Sequence, residues 1–392
     1  MEKRKRKREE YELRQIGVLD GVRVVAVLLV VWYHFWQQSW IIPVAGPINL
    51  DWLVRNGAIA VDMMILLSAF CLFLPYARNM VYGGESLSVR EFYWRRVARI
   101  VPSYYVILFL ILFLFAIPMN EYAGRDAMLS DLIPHLVFLH NWFPASSVFT
   151  HLNGAMWTVG VIVQFYVVFP LLAKAFQRKP LITYGVMTLT GLVSSFLISS
   201  NFDNLNQMLY VNNTLTFTSV YANGMLGAWL YISWTKERKR TRQEGIFFTL
   251  TALVCLWVFK ILCEHRTYSG SETKWQLDYR YLLSLVFLIL IISIILSARW
   301  FRVLWDNKVM HFLAGISFNL YLCHQYVAVK LKEFHIPFWE GDTPPNQLGD
   351  EVWQWKYLLL CIVVSFVVAV AMTYLVEKPV AKWIRKIVQE KN

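Results

Sequence analysis

The sequence predicts an all-α, polytopic membrane protein of about ten transmembrane helices, with the N-terminus and the C-terminus in the cytoplasm. Its 392 residues are 57% hydrophobic and 16% charged, whereas a soluble domain averages about 25% charged residues. The apolar residues occur in runs of about twenty, the length at which a helix crosses the hydrocarbon core of a bilayer. Because lipid offers the backbone no hydrogen bonds, runs of this length must form helices.

Ten such runs follow one another, separated by short polar segments. If the basic start MEKRKRKREE is cytoplasmic, most of the 38 Lys and Arg residues fall in the inner segments, as the positive-inside rule requires. This alternation supports both the count and the orientation. The predicted spans are 18–36, 57–77, 101–118, 155–174, 181–199, 215–233, 246–263, 280–297, 309–329 and 357–376.

The charge and cysteine content exclude several classes of function. The net charge of +12 is distributed as a positive-inside pattern and not as a basic face, so we expect no nucleic-acid partner. The five cysteines fall within spans and form no CxxC pair, and the three histidines of segment 119–154 fit no zinc spacing. We therefore expect neither a disulfide nor a metal. The organisation predicted is a basic segment 1–15, one membrane domain 16–383 and a cytoplasmic tail 384–392.

The first span carries two ionisable residues, Arg23 and His34. An ionisable side chain inside a bilayer costs about 2.5–3.5 kcal/mol on insertion scales, so each one is a functional candidate. Ten residues lie between the two, which places them on one helix face about 16 Å apart along the axis. The alternative is that Arg23 snorkels to the inner surface and His34 belongs to the outer aromatic belt.

A histidine that acts as a base needs a partner to fix its tautomer, and a carboxylate is the usual one. Asp62 of the second span is predicted at the depth of His34 and is the first candidate, with Asp20 the second. The alternative for Asp62 is that it only caps the N-terminus of its helix.

Three arginines, Arg95, Arg96 and Arg99, precede Pro102 at a predicted cytoplasmic boundary. Guanidinium groups bind phosphate oxygens in a bidentate way, so this cluster is a candidate anion clamp. Positive-inside anchoring to lipid head groups explains it equally well.

Further polar and aromatic residues are predicted near the outer ends of the spans. Trp157 begins the fourth span, Tyr321 and His324 lie in the outer half of the ninth, and Ser68 lies deeper in the second. We take these four as candidates for binding the substrate.

Together these segments resemble the acyltransferase type 3 family of integral membrane proteins over about residues 16–383. LDGVRVVAVLLVVWYHF is similar to the family's first helix, with its Arg and His at Arg23 and His34, and AVDMMILLSAF is similar to the second. FYWRRVARIVPSYY, NGAMWTVGVIVQFYVVFPLL, ISFNLYLCHQ and YLVEKP resemble four further motifs in order. One departure is Ile162, where many relatives carry a Glu.

The resemblance implies transfer of an acyl group, usually acetyl from acetyl-CoA, to a hydroxyl of a surface glycan, a lipid-linked precursor or a small molecule. Relatives with a fused soluble transferase domain exist; we expect none in these residues, so the chain would act alone or pass the acyl group to a separate partner protein. Membrane lipids are the other expected partners, in the bacterial cytoplasmic membrane.

The residues fit that chemistry as a hypothesis. Arg95, Arg96, Arg99 and Arg23 would bind the CoA phosphates and stabilise charge in the channel. His34 would deprotonate the acceptor hydroxyl or take the acyl group itself. A transporter or flippase of a lipid-linked or acylated substrate is the alternative, since intramembrane charges also line permeation paths. An inactive binding module of the same fold is a third.

Overall fold

The structure is a computed structural model that describes residues 2–83, 88–236 and 240–390. It is built almost wholly from helices. The long helices are α1 (Glu2–Ser39), α2 (Ala60–Tyr82), α3 (Val89–Ile111), α4 (Trp157–Arg178), α5 (Pro180–Asn201), α6 (Thr218–Thr235), α7 (Arg242–Thr267), α8 (Glu272–Leu296), α9 (Lys308–Glu333), α10 (Glu351–Ala371) and α11 (Lys378–Glu390).

Short elements connect these helices. Strands Val44–Ala45 and Ile48–Asn49 pair in an antiparallel hairpin, with Val44 opposite Asn49. Short α-helical segments are Asp51–Arg55, Arg125–Leu136, Pro144–Ser147, Asn204–Tyr210 and Arg299–Arg302; 3-10 turns are Gly57–Ile59, His140–Trp142, Gly154–Met156 and Thr214–Phe217. Two π-helical turns, Leu112–Ala116 and Met372–Glu377, extend α3 and join α10 to α11.

The all-α, multi-pass prediction is confirmed, and a helix occupies each of the ten predicted positions. Within the described ranges, nine helices are long and apolar enough to cross a membrane. The exception is α6, which is more polar because it carries residues such as Asn223, whose amide donates to the Ser284 hydroxyl at 2.7 Å. Buried polar groups of this kind are satisfied by neighbouring helices and not by lipid. The side of the membrane on which the termini lie stays a prediction.

The third helix begins earlier than the predicted span. It starts at Val89, twelve residues before position 101, so Arg95, Arg96 and Arg99 lie on the helix itself and Pro102 lies inside it. A search for apolar runs misses this start because the first turns of the helix carry charged residues. Helical geometry places Arg95, Arg96 and Arg99 within about one turn of each other.

Helix α2 lies at the centre of the bundle and packs closely on α6. A Cβ atom on Gly224 of α6 would lie 2.4 Å from the backbone oxygen of Leu66, so the two helices meet backbone to backbone. Helix α1 packs along α9 and α2. These contacts fix the three helices that carry His34, Ser68 and His324.

We predict that Gly224→Ala destabilises the bundle, because the added methyl group has no space between α6 and α2. Overpacking of this kind costs about 1–3 kcal/mol. The matched control is Gly185→Ala in α5, where nothing lies within 4 Å of the added Cβ and where alanine favours the helix by up to about 1 kcal/mol. Thermal denaturation of the detergent-purified variants measures the difference, and equal melting temperatures would contradict the prediction.

Candidate active site

The three arginines of α3 line a cavity of about 640 Å³ at one end of the bundle, which we call the arginine end. The guanidinium carbon of Arg96 lies 5.7 Å from the ring centre of Tyr166, and Arg95 pairs with Glu91 one turn earlier. Glu377, from the π-helical turn, also lines the cavity, and its carboxylate accepts a hydrogen bond from the Asn319 amide at 2.7 Å. The predicted arginine cluster therefore forms a concave site with two carboxylates, Glu91 and Glu377, in its wall.

A narrower cavity of about 120 Å³, which we call the inner cavity, shares Arg96 and Arg99 with the first cavity and reaches into the bundle. Arg23, Ser68 and Tyr321 line it, so the structure brings together residues of α1, α2, α3 and α9 that the sequence only suggested separately. Much of its remaining wall is apolar, including Ile162 of α4, Val27, Ile100 and Val159.

Arg23 is held in this cavity by ion pairing. Its Nη1 lies 3.0 Å from Oδ1 of Asp20, one turn earlier on α1, and its Nη2 lies 3.7 Å from Sγ of Cys71. The other oxygen of Asp20 lies 3.4 Å from Nδ1 of His311, whose Nε2 is 2.9 Å from Asp306. Asp20 is therefore the counter-ion of Arg23.

His34 lies near the opposite end of α1, half-buried, and its tautomer is set by a glutamine. Its Nδ1 is 2.9 Å from Oε1 of Gln37, and Nε2 of Gln37 donates to the Tyr33 hydroxyl at 2.9 Å. Because Oε1 can only accept, Nδ1 carries the proton and Nε2 of His34 keeps its lone pair. The ring centres of His34 and His324 are 5.1 Å apart, and this pair defines the histidine end.

The predicted pairing of His34 with Asp62 or Asp20 is wrong. Oδ2 of Asp62 lies 3.5 Å from Nε of Arg280 on α8, and both side chains are fully buried. Asp62 does not cap its helix with a side-chain hydrogen bond either. A carboxylate that is buried away from water is stabilised by a neighbouring cation. The sequence did not show that Arg280 of α8 lies beside Asp62.

Arg280 links several segments. Its Nη1 donates to the Val211 carbonyl at 2.8 Å and to the Thr216 hydroxyl, and its guanidinium carbon lies 3.9 Å from the ring centre of Phe217. Trp157, a predicted substrate-binding residue, stacks on the same Phe217 at 5.8 Å. Trp157 therefore packs against this region, and its role in substrate binding stays a prediction. Thr158, one residue further on, lines the inner cavity.

Two of the remaining substrate candidates, Tyr321 and His324, meet where the inner cavity approaches the histidine end. The Tyr321 hydroxyl is 2.6 Å from that of Thr158, and the rings of Tyr321 and His324 have centres 5.4 Å apart. His324 is fully buried, and its Nδ1 is 2.7 Å from the Tyr321 carbonyl. The order along the bundle is therefore arginine cavity, Tyr321, His324 and His34.

Two of the three histidines of the segment between α3 and α4, His135 and His140, form a structural stack. His135 and His140 lie parallel, with ring centres 4.2 Å apart and planes at 6°, and a metal ion cannot lie in both of two parallel ring planes. Nε2 of His140 donates to the Met156 carbonyl at 2.8 Å. Burial, together with the neighbouring His135, lowers the pKa of His140 to about 3, so it is neutral at pH 7.

The fold and the site together define a class of protein. The chain is a helical multi-pass membrane protein with an internal site between an arginine-lined cavity and two imidazoles. A family model described as an acyltransferase domain matches residues 16–374. The chain therefore belongs to that acyltransferase family, which confirms the resemblance seen in its motifs.

Individual relatives are distant. The O-acetyltransferase OatA of Staphylococcus aureus (strain NCTC 8325 / PS 47) is 22% identical over 354 residues, covering 87% of this chain and 54% of OatA. YrhL of Bacillus subtilis (strain 168), whose name assigns it provisionally to peptidoglycan O-acetylation, is 23% identical over 395 residues, covering 94% of this chain and 55% of YrhL. The chain thus spans about half the length of the curated relatives it matches. No solved structure matches significantly.

Sequence reasoning missed residues whose partners come from distant segments. Glu377 is one such residue, because its partner Asn319 lies on α9. Gln37 was also missed, although it has a local signal, since it lies one turn after His34 on the same helix. Arg280 lies at the first position of the predicted span 280–297, but the sequence does not indicate its partner. Thr158 and Tyr166 look like ordinary residues of an apolar helix.

We predict that Arg280→Met lowers stability strongly, because it leaves the Asp62 carboxylate buried without a cation. Breaking a buried pair from one side costs about 3–5 kcal/mol, and replacing both partners, as in Asp62→Leu with Arg280→Met, should recover most of the loss. Thermal denaturation in detergent measures this.

The control is Lys260→Met, which breaks a pair with Glu264 whose side chains are 46% and 45% exposed. Such a pair contributes at most about 1 kcal/mol. If Asp62 served catalysis and not the fold, Asp62→Asn would lose activity at an unchanged melting temperature, which would contradict the structural assignment.

Proposed function

We propose that this chain is a membrane O-acetyltransferase that moves an acetyl group from acetyl-CoA to a hydroxyl of a cell-surface glycan, glycolipid or small molecule. One observation carries the proposal. Two cavities that share Arg96 and Arg99 lead from a cationic opening to Tyr321, whose ring neighbours the buried imidazole of His324.

The arginine end suits the nucleotide part of the donor. Arg95, Arg96 and Arg99 offer planar, permanently charged donors, which match phosphate oxygens. The cavity of about 640 Å³ is large and open enough to hold part of a nucleotide. Since acyl-CoA is made in the cytoplasm, the proposal places the arginine end at the cytoplasmic face of the bacterial membrane.

The inner cavity suits the extended arm of CoA, which is narrow and uncharged. At about 120 Å³ with a largely apolar wall, this cavity accepts a chain and not a bulky head group. Arg23 and Ser68 line it, and Arg23 supplies a cation within the channel that leads to the imidazoles. The thioester would pass Tyr321 and Thr158 to reach the imidazoles.

His34 has the features of a general base for the acceptor. Its Nδ1–H is fixed by Gln37, its Nε2 lone pair is available, and it is half-buried beside the exposed Gln37. The name of YrhL, which mentions peptidoglycan, makes carbohydrate hydroxyls the leading acceptor class. A separate acyl-accepting protein that completes the transfer is part of the proposal.

Binding and turnover of labelled acetyl-CoA by the detergent-purified protein test the proposal. Arg96→Ala should weaken binding about tenfold to a hundredfold, because it removes charge-assisted hydrogen bonds of about 1.5–3 kcal/mol. His34→Ala should keep binding and lose steady-state turnover by about 10²–10⁴-fold. The controls are Arg178→Ala, an exposed arginine at the end of α4, and His151→Ala, whose side chain is 48% exposed.

Two results would contradict parts of this proposal. If the wild-type protein neither binds nor turns over acetyl-CoA or a panel of other acyl-CoAs, the transporter interpretation replaces the enzymatic one. Wild-type turnover in His34→Ala, shown to be folded, would leave the donor site in place and remove His34 from the chemistry.

A further inference from the structure

We propose that His324, and not His34, takes the acetyl group from the donor, so that the protein works by a relay between two imidazoles. The inference rests on the proposed function and adds a covalent acetyl site at Nε2 of His324. It starts from an unsatisfied atom. Nε2 of His324 is buried and has no hydrogen-bond partner among the described residues.

The tautomer of His324 follows from its one hydrogen bond. Its Nδ1 lies 2.7 Å from the carbonyl oxygen of Tyr321, and a carbonyl can only accept, so Nδ1 carries the proton. Nε2 therefore holds a lone pair. A buried polar atom without a partner costs about 1–3 kcal/mol, and such an atom in a functional site points to a ligand that completes it.

The positions of the two imidazoles assign them different tasks. His324 is fully buried and neighbours Tyr321, which lines the cavity proposed for the donor arm. His34 is half-buried and contacts the exposed Gln37. The donor thus meets His324 first, and an acceptor arriving from the histidine end meets His34 first. A dry position also protects an acyl-imidazole, which water would hydrolyse.

The separation of the rings suits a relay. Their centres are 5.1 Å apart and their planes are inclined at 50°. At this spacing an acetyl group carried by His324 would lie beside the ring of His34, which would hold the acceptor hydroxyl. Gln37 and the Tyr321 carbonyl hold both rings in the same Nδ1–H form.

The reaction balances in two steps. Nε2 of His324 attacks the thioester carbonyl carbon, the carbon–sulfur bond breaks, and CoA leaves as the thiolate. The acceptor hydroxyl then gives its proton to Nε2 of His34 as its oxygen attacks the acetyl carbon, and the bond from carbon to His324 breaks. The proton on His34 passes to solvent, which protonates the CoA thiolate, so acetyl-CoA and an alcohol give an ester and CoA.

The test compares His34→Asn with His324→Asn in the full chain. Asparagine keeps a donor at the position of Nδ1 and so preserves the bond to the Tyr321 carbonyl in His324→Asn, but it has no counterpart of Nε2. Each protein is mixed with acetyl-labelled acetyl-CoA, with and without solubilised peptidoglycan fragments, and CoA release is followed by rapid quench. His151→Asn is the control.

Without fragments, the wild type, His151→Asn and His34→Asn should release about one CoA per protein in a burst, as for a covalent intermediate. His324→Asn should release none, and neither site variant should acetylate the fragments. In His34→Asn, mass spectrometry should find the label on the peptide that contains His324, which decides the matter even if His324→Asn fails to fold.

Three results would overturn the relay: a full burst in His324→Asn, label on His34 or another residue, or acetylation by the wild type without any burst. The last would mean direct transfer from donor to acceptor. These are distinct from failure of the proposed function, in which the wild type releases no CoA under any condition.

Discussion

Asp62 and Arg280 form an ion pair in the buried centre of the bundle, with 3.5 Å between Oδ2 and Nε. Neither charge has water to replace its partner, so α2 and α8 are held in one relative position. Arg280 also binds the connection before α6 through Val211 and Thr216. Since α2 carries Ser68 and packs on α1, the geometry of the inner cavity depends on this pair.

The charged residues that line the cavities are more exposed to water than Asp62 and Arg280. The Arg23 and Asp20 side chains are 23% and 31% exposed, and Arg95 and Glu91 are more exposed still. Water can reach these groups, so the charges can exchange partners with an anionic ligand at low cost. The fold therefore separates a dry ion pair that fixes the helices from wet arginines that are available for binding.

The sequence predicted the helices well because bilayer thickness and hydropathy act locally. It predicted Arg23, Arg96, Arg99, Ser68 and Tyr321 as site residues, and they line adjoining cavities. It failed where the answer depended on contacts between distant helices. The depth of Asp62 was inferred from its own span, whereas its partner, Arg280, comes from α8.

The spacing between Arg23 and His34 has a physical consequence for the proposed chemistry. Two unit charges repel by about 4 kcal/mol at 4 Å and an effective dielectric constant of 20, and by about 1 kcal/mol at the roughly 16 Å that separates the two residues along α1. A cation beside His34 would oppose its taking a proton from the acceptor. Placed three turns away, Arg23 can attract the anionic part of the donor while the imidazoles remain free to carry positive charge, and the largely apolar wall between them keeps the two functions apart.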